Sequence, residues 1–415
     1  MAVSSSNNLP HNLVGFVTDP VSKQVILTFI KDSNIGYAEV IDGSSDEAIE
    51  YLKNNRSPKT IIVDISNSEL PMSDLGKIID SGVPSMNIIT IGSKNDVGLF
   101  RDLMSLGVSD YLVKPINTTL LKKAIDDASS EKKFETHEKT GKLIYFTNSV
   151  GGAGATTTSI NIGWILANRH FKQTMLMDLD FLFGAVHLML DIKAENSYLN
   201  MLESPEKIDG YFIETIIKRY DKRLFYLGGL EDLARETEFN LAAFGALINS
   251  IKKQFNYVLM DAPRNVSGIN NVAMKKADTI VFMVEMSITS AQNTARFLEF
   301  LASEQSTSRI VIIANKVGLS SAGALTNASF ENVIDRKIDY MMPLDEGVAL
   351  AAANIGQPLA ISSNPLTDVL ESITIDLVGK KDLKQLTEEL QEQEVSPLEK
   401  IKSTVLGWIG SSSAK

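Results

Sequence analysis

An apolar run, Leu143-Ile-Tyr-Phe-Thr147, is followed by Ser149-Val-Gly-Gly-Ala-Gly-Ala-Thr-Thr-Thr158 and then by a helical pattern. A strand, a glycine-rich turn and a helix in that order aim backbone N–H groups and the positive end of a helix dipole at one point, which suits a bound phosphate. Gly151, Gly152 and Gly154 let the backbone approach closely, Ala153, Ala155 and Thr157 complete the loop, and Thr156 stands where a hydroxyl would ligand Mg²⁺. The loop contains no lysine. Alone, the segment also suits a glycine-rich turn that binds nothing.

The carboxylates decide between these readings. Asp178-Leu-Asp180 ends the next apolar run, and Asp261-Ala-Pro263 ends a later one. In an open parallel sheet the strand C-termini form the edge where ligands bind. One such Asp is ordinarily a helix cap, whereas three beside a glycine loop favour a site. Arg264 follows the last of these strands and is a candidate cation for a loop without lysine; a solvated loop arginine is the other reading. In the first half, Asp64 ends TIIVD and Lys114-Pro115 follows DYLV, which gives an acid and a base at strand ends.

Elements must hold these residues in place. From Leu13 short β-branched runs alternate with amphipathic patterns: LVGFVT, a helix near 21–31, TIIVDI, a helix near 72–81, NIITIG, a helix near 97–106, DYLVKP and a helix near 120–128. Such alternation implies a parallel sheet covered on both faces. Residues 131–142 are charged and poor in apolar side chains, and read as a linker. A second series begins at LIYFT, with a helix near 156–169 and further strands at TMLMDLD, RLFYLG, YVLMDAP, TIVFMVE and RIVIIANK. The expected organisation is α/β throughout, with two doubly wound parallel sheets: domains at 11–130 and 143–380, then a charged tether and tail at 381–415. In that tail Leu398, Ile401, Val405, Trp408 and Ile409 share a helical face suited to a membrane surface or a partner.

Composition narrows the function classes. The chain has 415 residues, a formal charge of −11 and no cysteine. Two or three domains are expected at that length. The acid balance argues against broad capture of nucleic acid, so no DNA partner is expected. Thiol nucleophiles, disulfides and iron–sulfur ligation are excluded by inventory. The first residues lack a basic apolar leader, and no run reaches the about 20 apolar residues that span a bilayer. A cytoplasmic protein with at most peripheral membrane contact is expected.

Residues 143–380 resemble the MinD/ParA group of P-loop ATPases, whose deviant phosphate loop reads KGGxGKT. The likeness runs through DLDFLFGAVHLML, DAP, the Ala277–Asp278 pair, IIANKVG and MPLDEGVALAAANIGQPL. It implies ATP with Mg²⁺, held by Thr156 and Asp261. It also implies a switch region at Asp178 and Asp180, with Asp180 positioning water, and an adenine pocket from Asn315, Pro343, Leu344 and Asp345. Val150 then replaces the lysine that reaches across a nucleotide-sandwich dimer, and Ala155 replaces the loop lysine. Phosphoryl transfer rests mainly on electrostatic stabilisation, and one placed donor is worth on the order of 3 kcal/mol, so weak or absent hydrolysis is expected.

Residues 11–130 resemble a receiver domain of the flavodoxin-like type, with Asp64 as phosphoacceptor and Lys114 as its contact. Receivers hold Mg²⁺ with an acidic pair after the first strand, where FVTDP offers only Asp19. An atypical receiver joined to a lysine-free loop is similar to the CpaE/TadZ family of tight-adherence (Flp, type IVc) pilus systems. That resemblance implies a polar localisation scaffold at the inner membrane, a homodimer, and as partners a secretion ATPase and membrane platform proteins. A cycling MinD-like ATPase and a signalling protein phosphorylated on Asp64 are the alternatives.

Overall fold

A computed structural model describes residues 12–129, 140–193, 216–230, 239–318 and 324–379. Most of the expected linker at 131–142 and all of the expected tail at 381–415 lie outside the described residues.

The first half alternates β1 (Leu13–Val17), α1 (Pro20–Asp32), β2 (Ala38–Asp42), α2 (Ser45–Asn54), β3 (Thr60–Asp64), α3 (Pro71–Ser81), β4 (Asn87–Gly92), α4 (Val97–Leu106), β5 (Asp110–Val113) and α5 (Thr118–Ser129). The strands pair in parallel in the order β2-β1-β3-β4-β5. This is the flavodoxin-like order, with its crevice outside β1 and β3. Alternate residues of each strand feed two cores. Ile61 and Val63 pack with Leu52, Leu75 and Leu103 of α2, α3 and α4. Ile62 packs on the other face with Ile26, Phe29 and Leu121 of α1 and α5.

β2 and α2 are additional to the elements expected from the sequence. AEVID is half-exposed and carries acids at both its second and last positions, because it forms the edge of the sheet. The helix after it announces itself through its cap: Glu47 reaches back to the Ser44 amide at 2.7 Å.

The second half runs β6 (Lys142–Asn148), α6 (Ala155–Asn168), β7 (Thr174–Asp178), α7 (Val186–Met189), β8 (Lys218–Arg219), β9 (Leu224–Leu227), α8 (Leu241–Gln254), β10 (Tyr257–Asp261), α9 (Ile269–Lys276), β11 (Thr279–Val284), α10 (Ile288–Ser303), β12 (Arg309–Val317), α11 (Asn327–Ile334), β13 (Tyr340–Pro343), α12 (Glu346–Asn354) and α13 (Pro365–Leu377). The eight strands lie in the order β13-β12-β11-β6-β10-β7-β9-β8. Two refinements follow. The two-residue β8 runs antiparallel to β9, so the sheet is parallel except at that edge, and β13 is a further strand. One core lies between the sheet and α8 to α10, with Met177, Met260 and Phe282 against Phe244, Leu247 and Phe297.

Both sheets belong to one compact unit ending at Leu370. Side chains of the second half cap helix ends of the first. Arg223 is 3% exposed. Its guanidinium donates to the Leu52 carbonyl, to the Lys53 carbonyl at 3.2 Å and to the Phe171 carbonyl at 2.9 Å. Lys172 donates to the Asp80 carbonyl at the end of α3, and Asn256 Nδ2 donates to the Gly82 carbonyl at 2.7 Å. The last carbonyls of a helix lack intrahelical partners and carry the negative end of its dipole, so cations suit them. Burial lowers the Arg223 pKa to about 10, which still leaves the group charged at neutral pH.

Truncating Arg223 leaves these buried carbonyls without their charged donor. Arg223→Ala is expected to destabilise the protein by about 3 kcal/mol in chemical denaturation. An unchanged midpoint would show that the contact contributes nothing.

Candidate functional site: the phosphate loop and the strand-end carboxylates

The loop between β6 and α6 has the geometry of a phosphate cradle. Gly152 and Gly154 have φ of +78° and +103°, a region costly for residues with a side chain. A Cβ at Gly154 would collide with Nδ2 of Asn315, so the glycine also permits a close approach. Asn315 uses that approach to donate to the Ala153 carbonyl at 2.9 Å. On the other side Asn293 Nδ2 donates to the Ser149 carbonyl at 2.9 Å, and the Ser149 and Ser290 hydroxyls meet at 2.7 Å. The backbone N–H of Ala155 donates to Asn148 Oδ1 at 3.0 Å. Asn148, Asn293 and Ser290 carried no signal in the sequence, because their roles arise from strand register and helix placement.

The carboxylates converge as expected. β10 lies between β6 and β7, and the register sets Asp261 directly opposite Asp178. Thr156 Oγ1 donates to Asp261 Oδ2 at 2.7 Å. Asp178 accepts from the backbone N–H groups of Asp180 at 3.1 Å and Val186 at 3.3 Å. Burial raises the pKa of both acids, and for Asp261 the charge of Asp178 adds to that effect. Asp180 is half-buried, and its Oδ1 accepts from the Phe183 N–H at 3.0 Å, which places it at the mouth of the pair.

These residues fit a magnesium nucleotide. Thr156 and Asp261 offer adjacent hard oxygens, and two crowded buried carboxylates are an arrangement that a divalent cation relieves. The loop and the start of α6 supply donors and a positive dipole end for phosphate. Asn315 lies on β12 and Pro343 on β13, which are neighbouring strands; Leu344 N–H donates to the Val317 carbonyl at 3.1 Å, and Asp345 caps α12. The expected pocket residues therefore share one edge. Arg264 is exposed and, with Arg296, Asn148, Ser149 and Asn293, lines a cavity of about 360 Å³ beside the loop. Asp278, part of the quoted family pattern, lies away from the loop and accepts from the Leu143 N–H at the start of β6.

Known proteins resemble this half of the chain in sequence and fold. Residues 141–313 match a family model described as an AAA domain, AAA_31. The septum site-determining protein MinD of Bacillus subtilis (strain 168) is 23% identical over 268 residues, which is 63% of this chain and 97% of that protein. A ParA family ATPase from Chlorobium tepidum TLS superposes with a TM-score of 0.53 at 17% identity, over 57% of this chain and 98% of that one. The second half has the MinD/ParA-type P-loop fold. MinD from Pyrococcus horikoshii OT3, solved with Mg-ADP, superposes with a TM-score of 0.50 at 17% identity, over 59% of this chain and 98% of that one. Within that fold, Val150 and Ala155 stand in a loop whose Gly152 and Gly154 adopt positive φ.

The first half holds a second constellation. Asp64, at the end of β3, accepts from the Thr18 hydroxyl at 2.6 Å, the Ser66 hydroxyl at 2.6 Å and the backbone N–H groups of both residues. Lys114 Nζ lies 2.6 Å from Asp64 Oδ2 and 2.6 Å from Asp19 Oδ2. The ammonium thus bridges the two acids. Asp64 and Lys114 meet as the sequence suggests, and Asp19 joins them. Burial works against the Asp64 carboxylate, but hydrogen bonds from Lys114, Ser66 and Thr18 outweigh it and lower its pKa to about 2.

A carboxylate with a lowered folded pKa stabilises the native state above its unfolded pKa of about 3.9, and that contribution is lost as pH falls toward 2. Asp64→Asn is expected to remove about 2 kcal/mol at neutral pH and to flatten the loss of stability between roughly pH 4 and 2. An acid unfolding profile identical to wild type would contradict this role.

Proposed function

We propose that the protein is an ATP-binding localisation scaffold in which nucleotide holds a homodimer and hydrolysis is weak or absent. The observation that carries this reading is a phosphate cradle complete in glycine geometry, threonine and carboxylates, but with Val150 and Ala155 where the resembled family has lysines. Backbone amides and a helix N-terminus bind phosphate without lysine. Fast transfer needs charge stabilisation that this loop lacks.

Thr156 and Asp261 hold Mg²⁺ in this reading, Asn315 with Pro343, Leu344 and Asp345 receives adenine, and Asp180 positions water when turnover occurs. Arg264 is a candidate replacement cation acting from the cavity beside Ser149, in cis or across the dimer. The pairing of a receiver-like half with a lysine-free loop supports a role like that of the CpaE/TadZ proteins in assembling a tight-adherence (Flp, type IVc) pilus. The partners are then a secretion ATPase and inner-membrane platform proteins. The location is the cytoplasmic face of the inner membrane at the cell pole, with peripheral contact. Among the described residues no helix is long and apolar enough to cross a membrane.

In the same reading the Asp64 constellation is an interaction module, since its carboxylate is fully occupied by Thr18, Ser66 and Lys114. Signalling through Asp64 is the competing account. Phosphotransfer from acetyl phosphate to wild type, and not to Asp64→Ala, is the result that favours it.

Returning the loop lysine tests the main proposal. Wild type is expected to bind ATP and dimerise with negligible turnover, and Ala155→Lys to raise turnover by about a hundredfold. Wild-type turnover that the added lysine does not increase would overturn the reading.

A further inference from the structure

A regular strand sends consecutive side chains to opposite faces. β12 breaks that rule where it meets the phosphate loop. Its pairing with β13 is regular at Ile313 and Ala314, resumes at Val317, and omits Asn315 and Lys316. Lys316 has φ of +57°, the left-handed region that a lysine adopts only when its surroundings enforce it. Bulges of this kind re-aim side chains beside functional sites. Here the bulge directs two successive side chains toward the loop. Asn315 reaches the Ala153 carbonyl, and a Cβ built on Gly152 would lie 3.9 Å from Lys316 Nζ.

The Lys316 ammonium is held by Glu285, with Nζ 2.7 Å from Oε1. Glu285 directly follows β11, and its N–H donates to the Ser290 hydroxyl at 3.0 Å. The two side chains are 37% and 30% exposed. Ion pairs that open to solvent contribute little, so the pair alone does not account for a lysine kept in a disfavoured backbone region. A role toward the loop does. Arg264 and Arg296 open into the cavity on the Ser149 side, whereas Lys316 Nζ lies near Gly152.

We infer that Lys316, delivered by the bulge in β12, supplies the cation for the nucleotide phosphates that the loop itself lacks, with Glu285 holding it in place until nucleotide binds. This deepens the nucleotide-binding reading and rests on it. Phosphate then displaces Glu285 from the ammonium, exchanging one ion pair for another with no covalent bond made or broken. Lys316 is a binding residue in this account; it does not move a proton.

The test is titration of the full chain with a fluorescent ATP analogue and Mg²⁺, with ADP and adenosine as competitors. Lys316→Gln removes the charge and keeps an unbranched polar side chain one atom shorter. It is expected to weaken ATP and ADP by about tenfold or more while leaving adenosine competition unchanged. Lys316→Arg should recover most of the loss, and Glu285→Gln should bind ATP at least as tightly as wild type. Equal ATP affinity for Lys316→Gln and wild type overturns this inference alone, whereas a wild type that binds no nucleotide overturns the underlying reading with it. Melting temperatures without nucleotide establish that each variant is folded. If Lys316→Gln does not fold, weaker ATP binding by Glu285→Gln overturns the proposal and tighter binding supports it.

Discussion

The hydrogen bond from Thr156 to Asp261 ties the first turn of α6 to the end of β10, and the site depends on that tie. Asp261 is held in register with Asp178 by the β10–β7 pairing, and both acids are buried at the ligand edge of the sheet. Burying two carboxylates side by side is unfavourable unless protons or a cation offset it. The same register that creates the unfavourable pair also sets it beside a loop whose glycines open a cradle for phosphate. Fold and site are therefore one arrangement, since the sheet order that packs the core brings acid, hydroxyl and loop together.

The Asp64 constellation follows the opposite logic. There a lysine fills the space between two acids, and every partner of Asp64 comes from the protein itself. One half of the chain holds a buried acid pair with no cation of its own between its members, while the other holds an acid pair bridged by a lysine. Arg223 and Lys172 extend the second pattern, since both place buried cations on helix carbonyls, those of Leu52 and Lys53 for Arg223 and that of Asp80 for Lys172. This division suits a protein in which one half binds and the other presents a surface.

Much of this was legible in the residues. Glycine punctuation between an apolar run and a helix announced the loop, and aspartates at the ends of buried strands announced the ligand edge. Near-continuous apolar runs gave away the central strands, because they are buried on both faces. β2 was hidden by its edge position, where exposed acids dilute the pattern. Lys316 lay inside a segment already read for Asn315, but a bulge and a left-handed backbone are products of strand pairing that spacing does not announce. Arg223 gave no signal, since a lone arginine reads as surface until the carbonyls that surround it are known.

On the proposed reading, this loop keeps nucleotide and has given up fast hydrolysis. That reading is tested most directly by incubating the full chain with ATP and Mg²⁺, removing free nucleotide, and identifying by chromatography what the denatured protein releases. A loop that holds ATP without turning it over releases intact ATP near one per chain. Release of ADP, or of no nucleotide, would contradict the reading.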